Sequence, residues 1–321
     1  MLFLSEKDIK QAVTMKDVID AIDETYKVYD TGRFQMPTRM QVNDQGNTLL
    51  LMPCFTQDAI GTKLVTIFPN NKSIPTLHGL VVLNSSDTGE VKGILNGTFL
   101  TGLRTGAVGG SGVRHLAQEN ASTLAIVGTG VQGLYQAIAA CAERSIKTIY
   151  LYNRSPEKIP AFQKQLQGWI GEDVQIVACD SVEAAIEHAE IVITATTSKT
   201  PVLPENEELL RNKLIIGVGS FQPTMREFPE TLYRMTDQVI VDTDHAIEES
   251  GDVATPLEKG WIKEESILTM ADYISGRRKL SNQSGGSVVF KSTGMALFDV
   301  VVANLMYQKA QEKGIGTTLD M

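Results

Sequence analysis

Cysteine, histidine and long apolar runs are all scarce in this chain of 321 residues. The three cysteines, Cys54, Cys141 and Cys179, are far apart and form no CxxC pair, which excludes a disulfide framework and a thiolate metal site. The four histidines show neither an HxxxH nor an HExxH spacing. We therefore expect reduced cysteines and no metal centre.

Membrane and nucleic-acid functions also lack support. No apolar segment reaches the roughly 18 to 20 residues that a spanning helix needs, and residues 1–4 are followed by charge rather than by the apolar core of a signal peptide. Acidic residues outnumber basic ones by 38 to 29, and the net charge of −9 repels nucleic acid and anionic membranes. These features predict a cytoplasmic protein that binds neither nucleic acid nor membranes.

The chain is long enough for about two domains, and its apolar fraction of 42% is that of an ordinary globular protein. Hydroxyl residues three positions before an acid predict two N-terminal helices, the second of which ends near Gly32. Residues 41–96 contain short β-branched and apolar runs, which predict a mostly antiparallel sheet. A long glycine-rich helix is predicted from Thr98 to Leu116.

From Thr123 onward, apolar strands alternate with helical segments. Such alternation is typical of a parallel sheet with helices on both faces, a doubly wound α/β fold. A last helix with a broad apolar face is predicted from about Gly294 to Lys313.

The most informative motif is a glycine-rich turn, GTGVQG, that follows the predicted strand Leu124–Val127 and opens a helix. In a dinucleotide-binding turn, the first glycine permits the tight bend, the second lets the backbone approach a diphosphate and the third lets the helix pack on its strand. The sequence therefore predicts a Rossmann-type dinucleotide site. Its first candidate residues are Gly128, Thr129, Gly130, Val131, Gln132 and Gly133.

The end of the second predicted strand favours NADP(H), although NAD(H) stays open. No acidic residue is present there to bind the ribose hydroxyls; instead Arg154 and Ser155 can face a 2′-phosphate. The other cofactor-binding candidates are Asn153, at the same strand end, and Thr194, Ala195 and Thr196, at the end of the fourth strand. Asp242 and Asp244 follow the sixth strand, where they could contact a ligand, but a solvated loop is the favoured interpretation.

Ordered blocks along nearly the whole chain resemble the ornithine cyclodeaminase/mu-crystallin family. The blocks are MPTR at 36–39, GTK at 61–63, FPNN at 68–71, LRTGA at 103–107, GTGVQG at 128–133, GSFQP at 219–223 with RE at 226–227, SGD at 250–252 and FKSTG at 290–294. The resemblance implies a homodimer in which both chain termini form an α+β substrate-binding and dimerisation domain, residues 1–118 plus 296–321. The Rossmann domain is then residues 119–295.

The resemblance also assigns site residues. Arg39, Lys63 and Arg104 match the cations that surround the substrate carboxylate in the family, and Thr76 matches a substrate-contacting threonine. A guanidinium can hold an α-imino carboxylate in bidentate fashion, and Lys63 can pass a proton if Arg39 and Arg104 depress its pKa. Val218, Gly219 and Ser220 are expected beside the cofactor.

One position departs from the cyclodeaminases of the family, where a catalytic aspartate follows the fifth strand. Phe221 occupies that place here and can neither accept a proton nor pair with an ammonium group. The sequence therefore favours an NADPH-preferring reductase of a small cyclic imino acid, such as pyrroline-2-carboxylate or its six-membered homologue. Ornithine cyclodeaminase, an alanine-dehydrogenase-like enzyme and a non-enzymatic NADPH-binding protein remain alternatives.

Overall fold

The computed structural model describes residues 1–281 and 286–320, which form two compact units. The first consists of Met1–Arg104 with Met295–Met321, and the second of Thr105–Gly294. The change from one unit to the next falls inside a helix, before the expected boundary at residues 118–119. Within the described residues, no helix is both long and apolar enough to span a membrane.

The elements of the first unit begin with strand β1 and two capped helices. They are β1 (Leu2–Leu4), α1 (Glu6–Ala12), α2 (Met15–Thr31), β2 (Phe34–Gln35), β3 (Met40–Asp44), β4 (Asn47–Thr56), β5 (Ile60–Ile67), β6 (Leu77–Asn84), β7 (Val91–Asn96) and the start of α3 (Gly97–Leu116). Ser5 and Thr14 each form the predicted capping box, and Gly32, at φ 65°, ends α2 in the left-handed conformation.

The second unit alternates strands and helices. They are β8 (Thr123–Val127), α4 (Val131–Glu143), β9 (Thr148–Tyr152), α5 (Ile159–Ile170), β10 (Gln175–Ala178), α6 (Val182–Ile186), β11 (Ile191–Thr194), α7 (Glu207–Leu210), β12 (Leu214–Gly217), α8 (Glu230–Arg234), β13 (Val239–Val241), α9 (Ala246–Glu249), α10 (Gly251–Glu258), β14 (Ile267–Thr269), α11 (Met270–Ile274) and β15 (Val288–Lys291). Short 3₁₀ turns span Pro156–Lys158 and Glu264–Ser266.

The sheet of the second unit has the strand order β10-β9-β8-β11-β12-β15-β13-β14, and all of its pairs are parallel. Central strands such as β11 and β12 are buried along their whole length, because both faces of the sheet are covered there. The predicted Rossmann-type α/β fold is confirmed.

The chain then returns to the first unit with α12 (Ala296–Glu312) and β16 (Thr317–Thr318). The sheet there has the order β16-β1-β7-β6-β5-β4-β2, and β3 also pairs with β4. Its pairs are antiparallel, as predicted, except for the parallel pair of β1 and β7. Helix α12 contacts β4, β5 and β6, and α2 packs on α12.

Candidate functional site

A buried cluster of two cations and one carboxylate lies in the first unit. Nζ of Lys63 is 2.6 Å from Oδ2 of Asp299, and Nε of Arg104 donates to Oδ1 of the same carboxylate at 2.8 Å. All three residues are buried, at 2%, 5% and 0% exposure respectively. With Lys63 protonated the cluster carries one net positive charge, which suits an anionic ligand.

Close packing of β5 on α12 forms this cluster. Side chains alternate along a strand, so Gly61, Lys63 and Val65 share one face of β5, and all three are buried. A Cβ added at Gly61 would lie 2.8 Å from Cγ2 of Val300, which shows how closely strand and helix approach. Asp299 lies in the first turn of α12, where the helix dipole favours a negative charge.

The pKa of Lys63 is lowered to about 7, chiefly by burial; the charge of Asp299 opposes this shift, and the charges of Arg104 and Arg39 add to it. The two arginines therefore act as expected, but loss of water is the largest cause. A lysine with this pKa can both donate and accept a proton near neutral pH.

The other two predicted substrate residues lie at the surface of the same unit. Arg39 is half-buried, and its charge reaches Lys63. Thr76 is exposed, and its carbonyl accepts a hydrogen bond from the Phe68 amide at 2.7 Å. Its predicted contact with substrate stays a prediction.

A cavity of about 430 Å³ in the second unit opens beside the glycine-rich turn. It is lined by Val127, Gly128, Thr129, Gly130, Tyr152, Asn153, Arg154, Ser155, Lys158, Val182, Ala195, Thr196, Thr197, Ser198 and Val202. Gly128 adopts φ 107°, a conformation that side chains rarely permit, and a Cβ there would lie 2.7 Å from the Ala195 carbonyl.

This cavity fits a dinucleotide. Gly130 is the N-cap of α4 and has no side chain to bond the first amides of the helix, so they stay available to an anion. A Cβ at Gly130 would meet nothing within 4 Å, so the space beside the turn is open to a ligand. Arg154 and Lys158 are exposed and add positive charge to the same wall.

Several predicted cofactor residues lie outside this lining. Gly133 packs against the Gly128 carbonyl, as the third glycine of such a turn is expected to do, and Thr194 is fully buried in its strand. The amides of Gly219 and Ser220 bond to the carboxylate of Glu227. The remaining predicted residues that do not line the cavity are Val131, Gln132 and Val218.

The structure also corrects one expectation and adds unpredicted residues. Asp242 is fully buried and accepts from Ser292 Oγ at 2.7 Å and from the Gly294 amide at 2.7 Å, so its assignment to a solvated loop was wrong. Asp299 and Lys158 were missed. Asp299 had a signal, since it is an acid inside an otherwise apolar stretch of helix.

The parallel sheet, the glycine turn and its cavity define a dinucleotide-binding α/β protein. The model of the ornithine cyclodeaminase/mu-crystallin family matches residues 1–314, so the chain belongs to this family, as its motifs predict.

Known proteins are similar to this chain over most or all of its length. A Δ1-pyrroline-2-carboxylate reductase of Bacillus cereus is 36% identical over 100% of both chains, and the ketimine reductase mu-crystallin of Mus musculus is 30% identical over 80% of this chain and 79% of its own. The Δ1-pyrroline-2-carboxylate reductase of Thermococcus litoralis, solved with NADH and L-proline, has a TM-score of 0.92 and 30% identity over 99% of this chain and 100% of its own.

Proposed function

We propose that this chain reduces the C=N bond of a small cyclic imino acid, of the pyrroline-2-carboxylate or piperideine-2-carboxylate type, to the L-amino acid. The buried Lys63–Asp299–Arg104 cluster is the observation that carries this proposal. Similarity over the full chain to pyrroline-2-carboxylate reductases supports it.

Arg104 is the residue that binds the substrate carboxylate. Nε of Arg104 donates to Asp299, and this hydrogen bond orients the guanidinium group. The two terminal nitrogens of the guanidinium are not used in that bond, so they can donate to the substrate carboxylate. Arg39 adds a second positive charge. A bound carboxylate neutralises the one net positive charge of the buried Lys63–Asp299–Arg104 cluster.

Lys63 supplies the proton. When bound, the reduced nicotinamide dinucleotide provides the hydride that the carbon of the C=N bond accepts. The nitrogen then needs one proton, which Lys63 donates from Nζ directly or through a water molecule. The carboxylate of Asp299, 2.6 Å from Nζ, stabilises Lys63 in its charged form before the transfer.

The cofactor is a nicotinamide dinucleotide, held by residues 128–130, the strand end at Asn153 and the turn at Ala195–Thr196. NADPH is preferred over NADH because Arg154, Ser155 and Lys158 offer donors to a 2′-phosphate.

The double variant Arg154→Asp with Lys158→Ala is expected to raise the Kd for NADPH by at least about tenfold with little change for NADH. Equal loss for both cofactors would contradict the assignment.

The protein acts as a homodimer through the sheet of its first unit. In β3 and β4 the register places Met40 and Val42 on one face with Leu51, Leu49 and Phe55. Met40, Val42 and Phe55 are 52–59% exposed. Because the opposite face already packs on α12, this second apolar face needs a partner. An archaeal alanine dehydrogenase of similar fold, 26% identical with a TM-score of 0.91, is a dimer.

The test is NADPH oxidation with Δ1-pyrroline-2-carboxylate and its six-membered homologue, followed by product analysis. One L-amino acid is expected for each NADPH consumed. Release of proline and ammonia from ornithine without net change in NADPH, together with no turnover of the imines, would identify a cyclodeaminase instead. Oxidation that requires ammonia and pyruvate would identify an alanine dehydrogenase, and tight NADPH binding without any turnover a binding protein.

A further inference from the structure

A cluster of three fully buried ionisable side chains lies in the second unit, and none of the three lines the dinucleotide cavity. Nζ of Lys291 lies 3.5 Å from Oδ2 of Asp252 and 3.9 Å from Oε2 of Glu227. Each of the three is 0% exposed. Since burial of charge is costly, a cluster of this kind adds little to stability over apolar side chains and points to another role.

Glu227 joins two turns at the carboxyl ends of neighbouring strands. Its Oε1 accepts from the amide and the hydroxyl of Thr196, at 2.7 and 2.9 Å, in the turn after β11. Its Oε2 accepts from the amides of Gly219 and Ser220, at 2.8 and 3.2 Å, in the turn after β12. Four donors therefore converge on one carboxylate.

The backbone around Glu227 supports the same wall of the cavity. The Glu227 carbonyl accepts from the amide of Val202 at 2.8 Å, and the Arg226 amide donates to the Ser198 carbonyl at 3.0 Å. Thr196, Ser198 and Val202 all line the dinucleotide cavity. The backbone of residues 226 and 227 thus forms hydrogen bonds to the segment that lines one side of the cavity.

Asp252 and Lys291 hold Glu227 in turn. Oδ1 of Asp252 accepts from the amides of Glu227 and Phe228 at 2.7 and 2.9 Å, which fixes the backbone of the segment. Burial raises the pKa of Glu227; the ammonium of Lys291 opposes this shift, and the charge of Asp252 adds to it. Lys291 therefore favours the ionised carboxylate, which is the form that accepts from all four donors.

We propose that Glu227 is a positioning residue for the dinucleotide: it fixes the 196–202 wall of the cavity, while Asp252 fixes the backbone of Glu227 and Lys291 favours its ionised carboxylate. This inference rests on the proposed cofactor, but not on the imino acid. It explains why Gly219 has no side chain, because a Cβ there would collide with the Thr196 backbone and lie 2.6 Å from Oε1 of Glu227.

The test compares Glu227→Gln with Glu143→Gln. An amide group has one accepting oxygen, so Glu227→Gln releases one of the two turns. Glu143 forms a bidentate ion pair with Arg114, at 2.7 and 2.8 Å, in the same unit but outside the cavity lining. The Kd for NADPH, measured from the fluorescence of the bound cofactor, is expected to rise by about tenfold or more in Glu227→Gln and to stay within about twofold in Glu143→Gln.

A Glu227→Gln protein that melts lower but binds NADPH as the wild type does would overturn the proposal, because the carboxylate would then serve stability alone. If the variant does not fold, the exchange rates of backbone amide hydrogens in the wild-type protein test the proposal instead. The amides of Thr196, Gly219 and Ser220 are expected to exchange slowly without cofactor; fast exchange that slows only with NADPH would refute the proposal. Wild-type protein that binds NADPH but reduces no imine refutes the proposed function and leaves this inference intact.

Discussion

We expect Lys63 to determine how the proposed reaction depends on pH. Burial lowers its pKa to about 7, so the protonated fraction falls as the pH rises through that value. Because imine reduction needs the protonated form, kcat/KM should decrease above about pH 7, whereas the reverse oxidation of the amino acid, which needs the neutral form, should increase. Initial rates in both directions between about pH 5.5 and 9 test this. Two profiles with the same shape would contradict the role of Lys63.

Asp299 is expected to set the pH at the midpoint of the profile for imine reduction. Its charge raises the pKa of Lys63, so Asp299→Asn should move the midpoint of the reductive profile to lower pH. The variant should also lose about 3–5 kcal/mol of unfolding free energy, because two buried cations lose their counter-ion. A lower melting temperature with an unmoved midpoint would limit Asp299 to a structural role. Lys92→Met, which removes a lysine lying over the Tyr307 ring, is the control.

For individual residues, the sequence predicted candidate site residues but not how they are arranged in the folded chain. Lys63 and Arg104 are in motifs that could be recognised, and the structure brings them together. Asp299 is 195 residues away from Arg104, and no local pattern shows that a helix residue will meet a strand lysine. The buried position of Asp242 was missed for the same reason, since its partners Ser292 and Gly294 lie after β15, 50 and 52 residues further along the chain.

Among the elements, the contact of β5 with α12 carries the cationic cluster. Gly61→Ala places a methyl group 2.8 Å from Val300, and we expect a loss of about 1–3 kcal/mol in unfolding free energy. It should also reduce kcat/KM, because the strand moves Lys63 relative to Asp299. Gly168→Ala is the control: nothing lies within 4 Å of a Cβ there, in α5, and alanine should be neutral or stabilising. Denaturant titration of both variants measures the difference, and equal stabilities would contradict the packing argument.

Elements with a strong local signal were predicted well. The capping boxes and Gly32 set the bounds of α1 and α2, and the period change marked the sheet between them and α3. Short strands were missed, such as β1 and β14, each of three residues. Their pairing is non-local: β1 lies between β7 and the C-terminal β16, so the partners that stabilise it are unknown until the chain is folded.

For the whole molecule, the apolar face of the first-unit sheet predicts a dimer that one charge can disrupt. Val42→Asp places a carboxylate on this face, and sedimentation should show dissociation at concentrations where the wild type is dimeric. Gln41→Asp is the matched control, because the neighbouring residue of the strand points to the opposite face. Dimers of equal stability in both variants would place the interface elsewhere.

The central claim is that Arg104 and Lys63 receive the carboxylate and the ring nitrogen of a cyclic amino acid. A crystal structure with L-proline tests it most directly. The proline carboxylate is expected within about 2.7–3.2 Å of the terminal nitrogens of Arg104, with the ring nitrogen in hydrogen-bond reach of Lys63 directly or through one water molecule. Proline bound with its carboxylate away from both residues would contradict it.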